Sequence, residues 1–244
     1  MPDFQSHLIF PTHAVPDAGP LPPGSERLQI EAADGKRLHG VYIPPSGAGE
    51  GDGTLILGFG GNAWNGEDVA SYLHELYPGA DIVTFHYRGY RPSAGSPSAE
   101  AILADAPLIY DAALKRVPRK RIVAIGFSIG SGVAARLSAE RPLDGLILVT
   151  PFDSLKAVAQ SMYPWLPIGP LFGHEIDAAG GLAAVPTAII AAERDEIIPG
   201  ERTDALRKKC RTLVFDRTIR RAGHNDIYAR SDFHEAMREA LAVL

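Results

Sequence analysis

The residues of this chain with the most chemistry to offer stand in three separate loops. Gly126-Phe127-Ser128-Ile129-Gly130 is a G-x-S-x-G, preceded by the uncharged run 122–126 and followed by small, helix-compatible residues. A run of that kind reads as a strand buried on both faces, so the serine stands at a sharp strand-to-helix turn. Glycines two residues to either side remove side-chain carbons that a strained turn could not accommodate. The serine hydroxyl is thereby pushed clear of the backbone, as a nucleophile requires.

An alcohol attacks only when a base takes its proton, and a histidine serves only when a carboxylate orients it. Of the eight histidines, His224 alone sits in a glycine-preceded loop after the final predicted strand. His74 and His234 fall on helix surfaces, His7 and His13 in the N-terminal arm, and His39 and His86 on strands. His174-Glu175 has no second histidine at metal-ligand spacing. Three carboxylates, Glu193, Asp195 and Glu196, follow the predicted strand 186–192. Asp195 is preferred because the order serine, acid, histidine needs the acid in a post-strand loop, and Ile197-Ile198-Pro199 would anchor that loop. Glu193 is the alternative, and Asp226 reads as a turn residue.

The elements that must position these groups follow from the pattern of apolar runs. Strands are expected at 28–32 and 38–43, joined through Asp34-Gly35, then at 54–59, 81–87, 122–126, 145–150, 186–192 and 213–219. Helices are expected at about 67–77, 99–116 with Ser98 as cap, from Ser128 to Arg141, about ten residues capped by Asp153, and 228–244. Strands alternating with helices describe an α/β fold, a mostly parallel eight-stranded sheet with helices on both faces. Residues 1–27 read as an irregular arm packed through Leu8, Ile9 and Phe10, and 28–244 as the main domain. The aromatic, proline-broken stretch within about 153–180 reads as a small lid-like insert.

Two chemistries compete for the loop after the third strand. Gly58, Gly60 and Ala63 fit G-x-G-x-x-A, and Arg88 after the next strand could meet a 2′-phosphate, which is a dinucleotide site. Against it, no ribose-binding acid ends that strand, and two strands precede what should be the first βαβ unit. The other reading is an oxyanion hole, in which a glycine-rich turn aims an N–H at a developing negative oxygen beside the amide that follows the nucleophile. The pair would be Asn62 and Ile129, although the choice of amide within 61–63 stays open. Arg88 is otherwise a structural charge tying down its loop.

Net charge is −5, with 24 basic and 29 acidic residues. The short basic runs 116–121 and 207–211 flank strands, so they read as solvated ends rather than a nucleic-acid surface. Cys210 is the only cysteine, which precludes an internal disulfide. No stretch of eighteen apolar residues occurs and the first residues lack a signal-like pattern, so a soluble, cytoplasmic protein without an integral membrane segment is expected.

Taken together, Gly60-Gly61-Asn62-Ala63-Trp64-Asn65, Tyr87-Arg88-Gly89-Tyr90, Pro97-Ser98, the G-x-S-x-G, Asp195 with Ile198-Pro199, and Gly223-His224-Asn225-Asp226 resemble the α/β-hydrolase superfamily. The likeness is to its small serine hydrolases, the ABHD13- and ABHD17-like group and its bacterial relatives, and it covers residue 28 to the end. This chain departs from the group at Gly60, where a histidine is usual, and at Arg91, where a glycine is usual. The resemblance implies a Ser128–His224–Asp195 triad cleaving carboxylic esters or thioesters through an acyl-enzyme, with no cofactor and no metal. Trp64, Phe127, Trp165 and Phe172 would line an apolar pocket for a small-molecule acyl substrate. The alternatives are a peptidase or amidase of the same fold, an NADP-binding oxidoreductase, or a non-catalytic binding domain.

Overall fold

The structure is a computed structural model that describes residues 9–46, 51–117, 121–162, 165 and 172–244. Eight strands form one sheet: β1 (Glu26–Glu31), β2 (Arg37–Ile43), β3 (Thr54–Phe59), β4 (Asp81–Phe85), β5 (Arg121–Phe127), β6 (Gly145–Val149), β7 (Thr187–Ala192) and β8 (Leu213–Ile219). Their order across the sheet is β1-β2-β4-β3-β5-β6-β7-β8. The helices are α1 (Gly66–Leu76), α2 (Ala99–Arg116), α3 (Ile129–Ser138), α4 (Leu155–Met162), α5 (Ala178–Gly181), α6 (Gly200–Lys209) and α7 (Ser231–Val243). Contacts divide the chain into two compact units, Met1–Ala124 and Ile125–Leu244, with the division inside β5.

In the first unit β1 and β2 pair antiparallel around Asp34-Gly35, where Gly35 takes φ +77°, a conformation open to glycine and costly for most other residues. β2 is antiparallel to β4, and β4 is parallel to β3. All six residues of β3 are buried, which is why the run lacks the alternation of a one-faced strand. Asn65 caps α1 by accepting the N–H of Glu67 at 2.9 Å, and Ser98 caps α2 by accepting that of Ala101 at 3.1 Å. Along α2, Ile102, Ala106, Ile109, Tyr110 and Ala113 are buried as their spacing predicts, while Leu103 and Leu114 are half-buried. Asp105 is buried on the same helix, which an apolar count does not anticipate.

In the second unit β6 and β7 are wholly buried and parallel. β8 joins parallel to β7 and alternates exposed with half-buried residues, as befits the last strand in the order. α4 has eight residues, and its cap is Ser154, which accepts the Ala157 N–H at 3.1 Å, rather than the expected Asp153. Asp153 faces Arg202 instead, at 3.5 Å. α6 was not anticipated, because its mean hydropathy is low and only Thr203 and Leu206 are buried. Cys210 ends that helix, half-buried.

The arm is traced from Ile9, so Leu8 lies outside the described residues. Phe10 is buried and Ile9 half-buried. The arm is held by polar bonds as much as by apolar contact. Asn62 Nδ2 donates to Ile9 C=O, Asn65 Nδ2 to Pro16 C=O at 3.0 Å, and Gly19 N–H to Asp68 Oδ1 at 2.9 Å. Most of the expected lid, residues 163, 164 and 166–171, lies outside the described residues. Neither basic run is bare: Arg116 pairs with Glu26, and Arg207 with Asp204 and Asp216. Among the described residues no helix is long and apolar enough to cross a membrane.

Candidate active site

β5 delivers Ser128 at φ 50°, ψ −116°, a conformation that costs a non-glycine residue about 1–3 kcal/mol and must be over-determined by its surroundings. Its N–H donates to Val149 C=O at 2.9 Å, and its own C=O accepts both the N–H and the Oγ–H of Ser131, at 2.9 and 2.6 Å. Gly126 is required for a reason slightly different from the expected one. A side-chain carbon there would lie 2.2 Å from Gly130 C=O and 2.6 Å from Ser131 Cα, so it would strike the turn backbone rather than the serine. Backbone cannot swing aside.

His224 arrives in the loop after β8 and is held from three sides. Glu196 Oε2 accepts its N–H at 3.0 Å, Asp226 Oδ1 accepts the N–H of Gly223 at 2.9 Å, and Ala222 accepts the N–H of Arg194 at 2.8 Å. The ring then lies with Nε2 2.9 Å from Ser128 Oγ and Nδ1 2.9 Å from each oxygen of Asp195. Both partners of that pair are buried, with side-chain exposures of 7% and 5%. An ionised carboxylate only accepts, so Nδ1 carries the ring proton and Nε2 is left to accept from the serine hydroxyl.

Asp195 is fixed in turn by accepting the N–H groups of Ile197 and Ile198 at 3.0 and 2.7 Å. Ile198 is buried, while Ile197 is partly exposed. The other two carboxylates of this loop have separate tasks: Glu193 accepts the N–H of Arg221 at 2.7 Å and Glu196 that of His224. Glu196 is a contact that sequence reasoning missed, since nothing in the local pattern distinguishes three neighbouring acids.

The loop after β3 belongs to the first unit. Ala63 takes φ +59°, and its N–H is turned inward onto Asn62 Oδ1 at 3.2 Å and Tyr90 Oη at 3.4 Å. The N–H groups of Gly61 and Asn62 have no acceptor among the described residues. In the second unit, Ile129 opens α3, where a first-turn N–H has no intrahelical partner. Tyr87 donates to Gly60 C=O at 2.8 Å and Tyr90 to Asn62 Oδ1 at 2.6 Å. Burial is the main reason that both phenols titrate above their usual range, Tyr90 at about 12, so they remain donors.

Arg88 binds Asp105 with Nε and Nη2 at 3.0 and 2.6 Å and Asp34 with Nη1 at 2.5 Å. It is therefore the structural charge and is not free to meet a 2′-phosphate. Gly58, the first glycine of the supposed dinucleotide pattern, lies inside β3, where a side chain would meet Leu73 of α1 at 2.5 Å.

The four residues expected to line a pocket differ in burial. Phe127 has no exposure and packs edge-on to Tyr228 at 5.9 Å between ring centres, so it belongs to the core. Trp64 is half-buried and folds back over Gly61, where a side-chain carbon would lie 3.3 Å from its Nε1. Phe172 is half-buried, and Trp165 is 77% exposed. A cavity of about 690 Å³ in the first unit is lined by His13, Arg27, Glu67, His86 and Arg91 together with apolar residues such as Val15, and by none of those four aromatics. No group of three or more His, Cys, Asp or Glu side chains among the described residues is placed to hold a metal ion.

Comparison with known proteins settles the family. The model for the alpha/beta hydrolase fold matches residues 55–181. The chain belongs to the alpha/beta-hydrolase family. An uncharacterised protein of Mycobacterium tuberculosis is 33% identical over 236 residues, which covers 91% of this chain and 81% of that one. The lysophosphatidylserine lipase ABHD12 of Danio rerio is 31% identical over 168 residues, covering 59% of this chain and 44% of that protein. Among solved structures, an alpha-beta hydrolase from Vibrio vulnificus superposes with a TM-score of 0.76 at 20% identity, covering 99% of this chain and 92% of that one, a likeness of fold. Membership makes a hydrolase the coarse reading and leaves the dinucleotide alternative without support.

Proposed function

We propose that this alpha/beta hydrolase is a serine hydrolase that cleaves carboxylic esters or thioesters of small acyl substrates through an acyl-enzyme. The observation that carries the reading is the continuous chain of contacts Asp195–His224–Ser128, 2.9 Å at each link, ending on a serine held at positive φ.

In the first step His224 Nε2 takes the Ser128 proton as Oγ attacks the carbonyl carbon, and then returns it to the leaving alcohol or thiol. Water next attacks the acyl-serine, with the same nitrogen taking its proton and giving it back to Ser128. Asp195 keeps Nδ1 protonated throughout and stabilises the imidazolium. The developing oxyanion is assigned to the N–H of Ile129, the first residue of α3 beside Ser128. Removing one such donor typically costs about a hundred- to a thousand-fold in rate. The zebrafish relative is by name a lipase, which favours an acyl ester over an amide.

A fluorophosphonate is expected to label Ser128, located by peptide mass spectrometry, and Ser128→Ala to lose both labelling and hydrolysis of p-nitrophenyl acetate while remaining folded. Turnover by Ser128→Ala above the solution rate would reject the assignment.

A further inference from the structure

Within the second unit, His224 and Ser128 stand on separate elements, so their 2.9 Å separation depends on how the loop after β8 docks against the ends of β5 and β6. The bonds from Asp195 and Glu196 tie that loop to the one after β7. Further along it, in the short 3₁₀ turn Ile227–Ala229, Tyr228 ties it to the elbow. The Tyr228 ring stands edge-on to Phe127, the residue before the serine, at 5.9 Å, and edge-on to Phe233 of α7 at 5.8 Å. Phe127 and Phe233 are both fully buried, so the ring is wedged between side chains packed too closely to yield. Its hydroxyl lies 3.3 Å from Thr150 Oγ1.

Thr150 is fully buried directly after β6 and takes φ +44°, an outlier for a β-branched residue that persists only where its neighbours hold it. Its N–H donates to Ile190 C=O at 2.8 Å, while the carbonyl before it, that of Val149, accepts the N–H of Ser128 at 2.9 Å. The partner of the Tyr228 hydroxyl is thus the neighbour of the carbonyl that holds the serine backbone. Burial is the main reason that the Tyr228 phenol titrates above its usual range, opposed by the bond to Thr150 and reinforced by the charge of Asp195, so the hydroxyl keeps its proton.

We propose that Tyr228 is a positioning residue for the general base: its ring against Phe127 and its hydroxyl on Thr150 set the distance from His224 Nε2 to Ser128 Oγ. The inference rests on the serine-hydrolase reading. A misplaced base slows proton transfer from the serine and leaves binding of the ester alone, so the defect falls on kcat rather than KM.

Tyr228→Leu removes the wedge and keeps an apolar side chain. With p-nitrophenyl acetate, kcat is expected to fall about ten- to a hundredfold, the upper figure being what a misplacement of about 1 Å can cost, with KM within about twofold. Labelling of Ser128 by a fluorophosphonate needs the same proton transfer and should slow by the same factor. A His224→Ala background separates this effect from a general loosening of the site: residual labelling there is slow, and Tyr228→Leu should slow it no further, because the group it positions is gone. Tyr228→Phe keeps the ring and loses the hydroxyl. Its kcat should fall about two- to tenfold, the range of one neutral hydrogen bond, and it carries the test alone if Tyr228→Leu fails to fold. An unchanged kcat in either variant, a loss in kcat with no matching loss of labelling rate, or a further loss in the His224→Ala background would each overturn the proposal. Wild-type protein that is active and dependent on Ser128, with an unimpaired Tyr228→Leu, sinks this inference alone. Wild-type protein inert toward both ester and fluorophosphonate sinks the triad reading and this one with it.

Discussion

Glu196 Oε2 accepts the backbone N–H of His224 at 3.0 Å, while the carboxylate beside it, Asp195, takes the imidazole. One loop thus fixes both the main chain and the ring of the histidine, and Gly223 is confined by the same carboxylate, where a side-chain carbon would lie 2.9 Å from Glu196 Oε2.

Glu196→Ala is therefore expected to reduce kcat for p-nitrophenyl acetate about tenfold, the order of a charge-assisted hydrogen bond worth about 1.5–3 kcal/mol and partly replaced by water. Glu196→Gln keeps an acceptor at the same reach and should stay within about threefold of wild type. Steady-state kinetics of the two variants decide it, and equal losses would count against the positioning role.

Gly126→Ala places a carbon 2.2 Å from Gly130 C=O, an overlap that only a shift of the elbow backbone relieves. Loss of fluorophosphonate labelling is expected, with either a lower melting temperature or failure to fold. A labelled, fully active Gly126→Ala would show that the elbow can widen at little cost.

Arg88 and Asp105 form a buried bidentate pair, and burial, opposed by Arg88, holds the Asp105 carboxyl above its ordinary range. Arg88→Met strands that carboxylate and is expected to cost about 3–5 kcal/mol in urea denaturation. Arg88→Met with Asp105→Leu should recover most of the loss, since an apolar pair of similar volume leaves no uncompensated charge. A double variant no more stable than the single one would reject the pairing as the source of the effect.

His86 is buried just past β4, where its Nδ1 accepts the N–H of Gly66 at 3.3 Å. Burial is the first cause that lowers its pKa below the usual 6.5, and the same cause lowers that of His74. The folded state thus favours the neutral rings, and the unfolded chain binds protons first as pH falls. Stability is expected to be full above about pH 6.5 and to drop below it, by at most about 1.4 kcal/mol per pH unit for the buried His86, with a smaller, solvent-screened share from His74. His86→Asn, which keeps an acceptor for Gly66, should flatten the decline between pH 6.5 and 5.5 in denaturant titrations. An unchanged slope would exclude His86 as a source of the acid sensitivity.

Local chemistry accounts for what could be read without coordinates. β8 and α2 begin and end where apolar spacing and the Ser98 cap place them, because periodicity reports burial and a cap is a bond between residues three apart. The elbow was legible for the same reason: two glycines, a serine and a buried run lie within nine residues. α6 was not, since a surface helix with two buried residues carries almost no periodic signal. Nor was the cap of α4, where Asp153 and Ser154 are equally good candidates until Arg202 claims the first.

The amino-acid sequence by itself determined the α/β order of elements, the strained serine at the apex of β5, and the succession of serine, acid and histidine along the chain. Only the tertiary structure decided which of Glu193, Asp195 and Glu196 meets the ring, that the Phe127 side chain belongs to the core, and that Tyr90 reaches Asn62. The difference is one of range. A strand or cap is set by neighbours a few residues away, whereas Asp195 and His224 lie 29 positions apart and Ser128 and His224 lie 96 apart. Which of several similar polar groups finds which partner depends on how loops from separate strands close over the sheet, and that is fixed by packing the whole core.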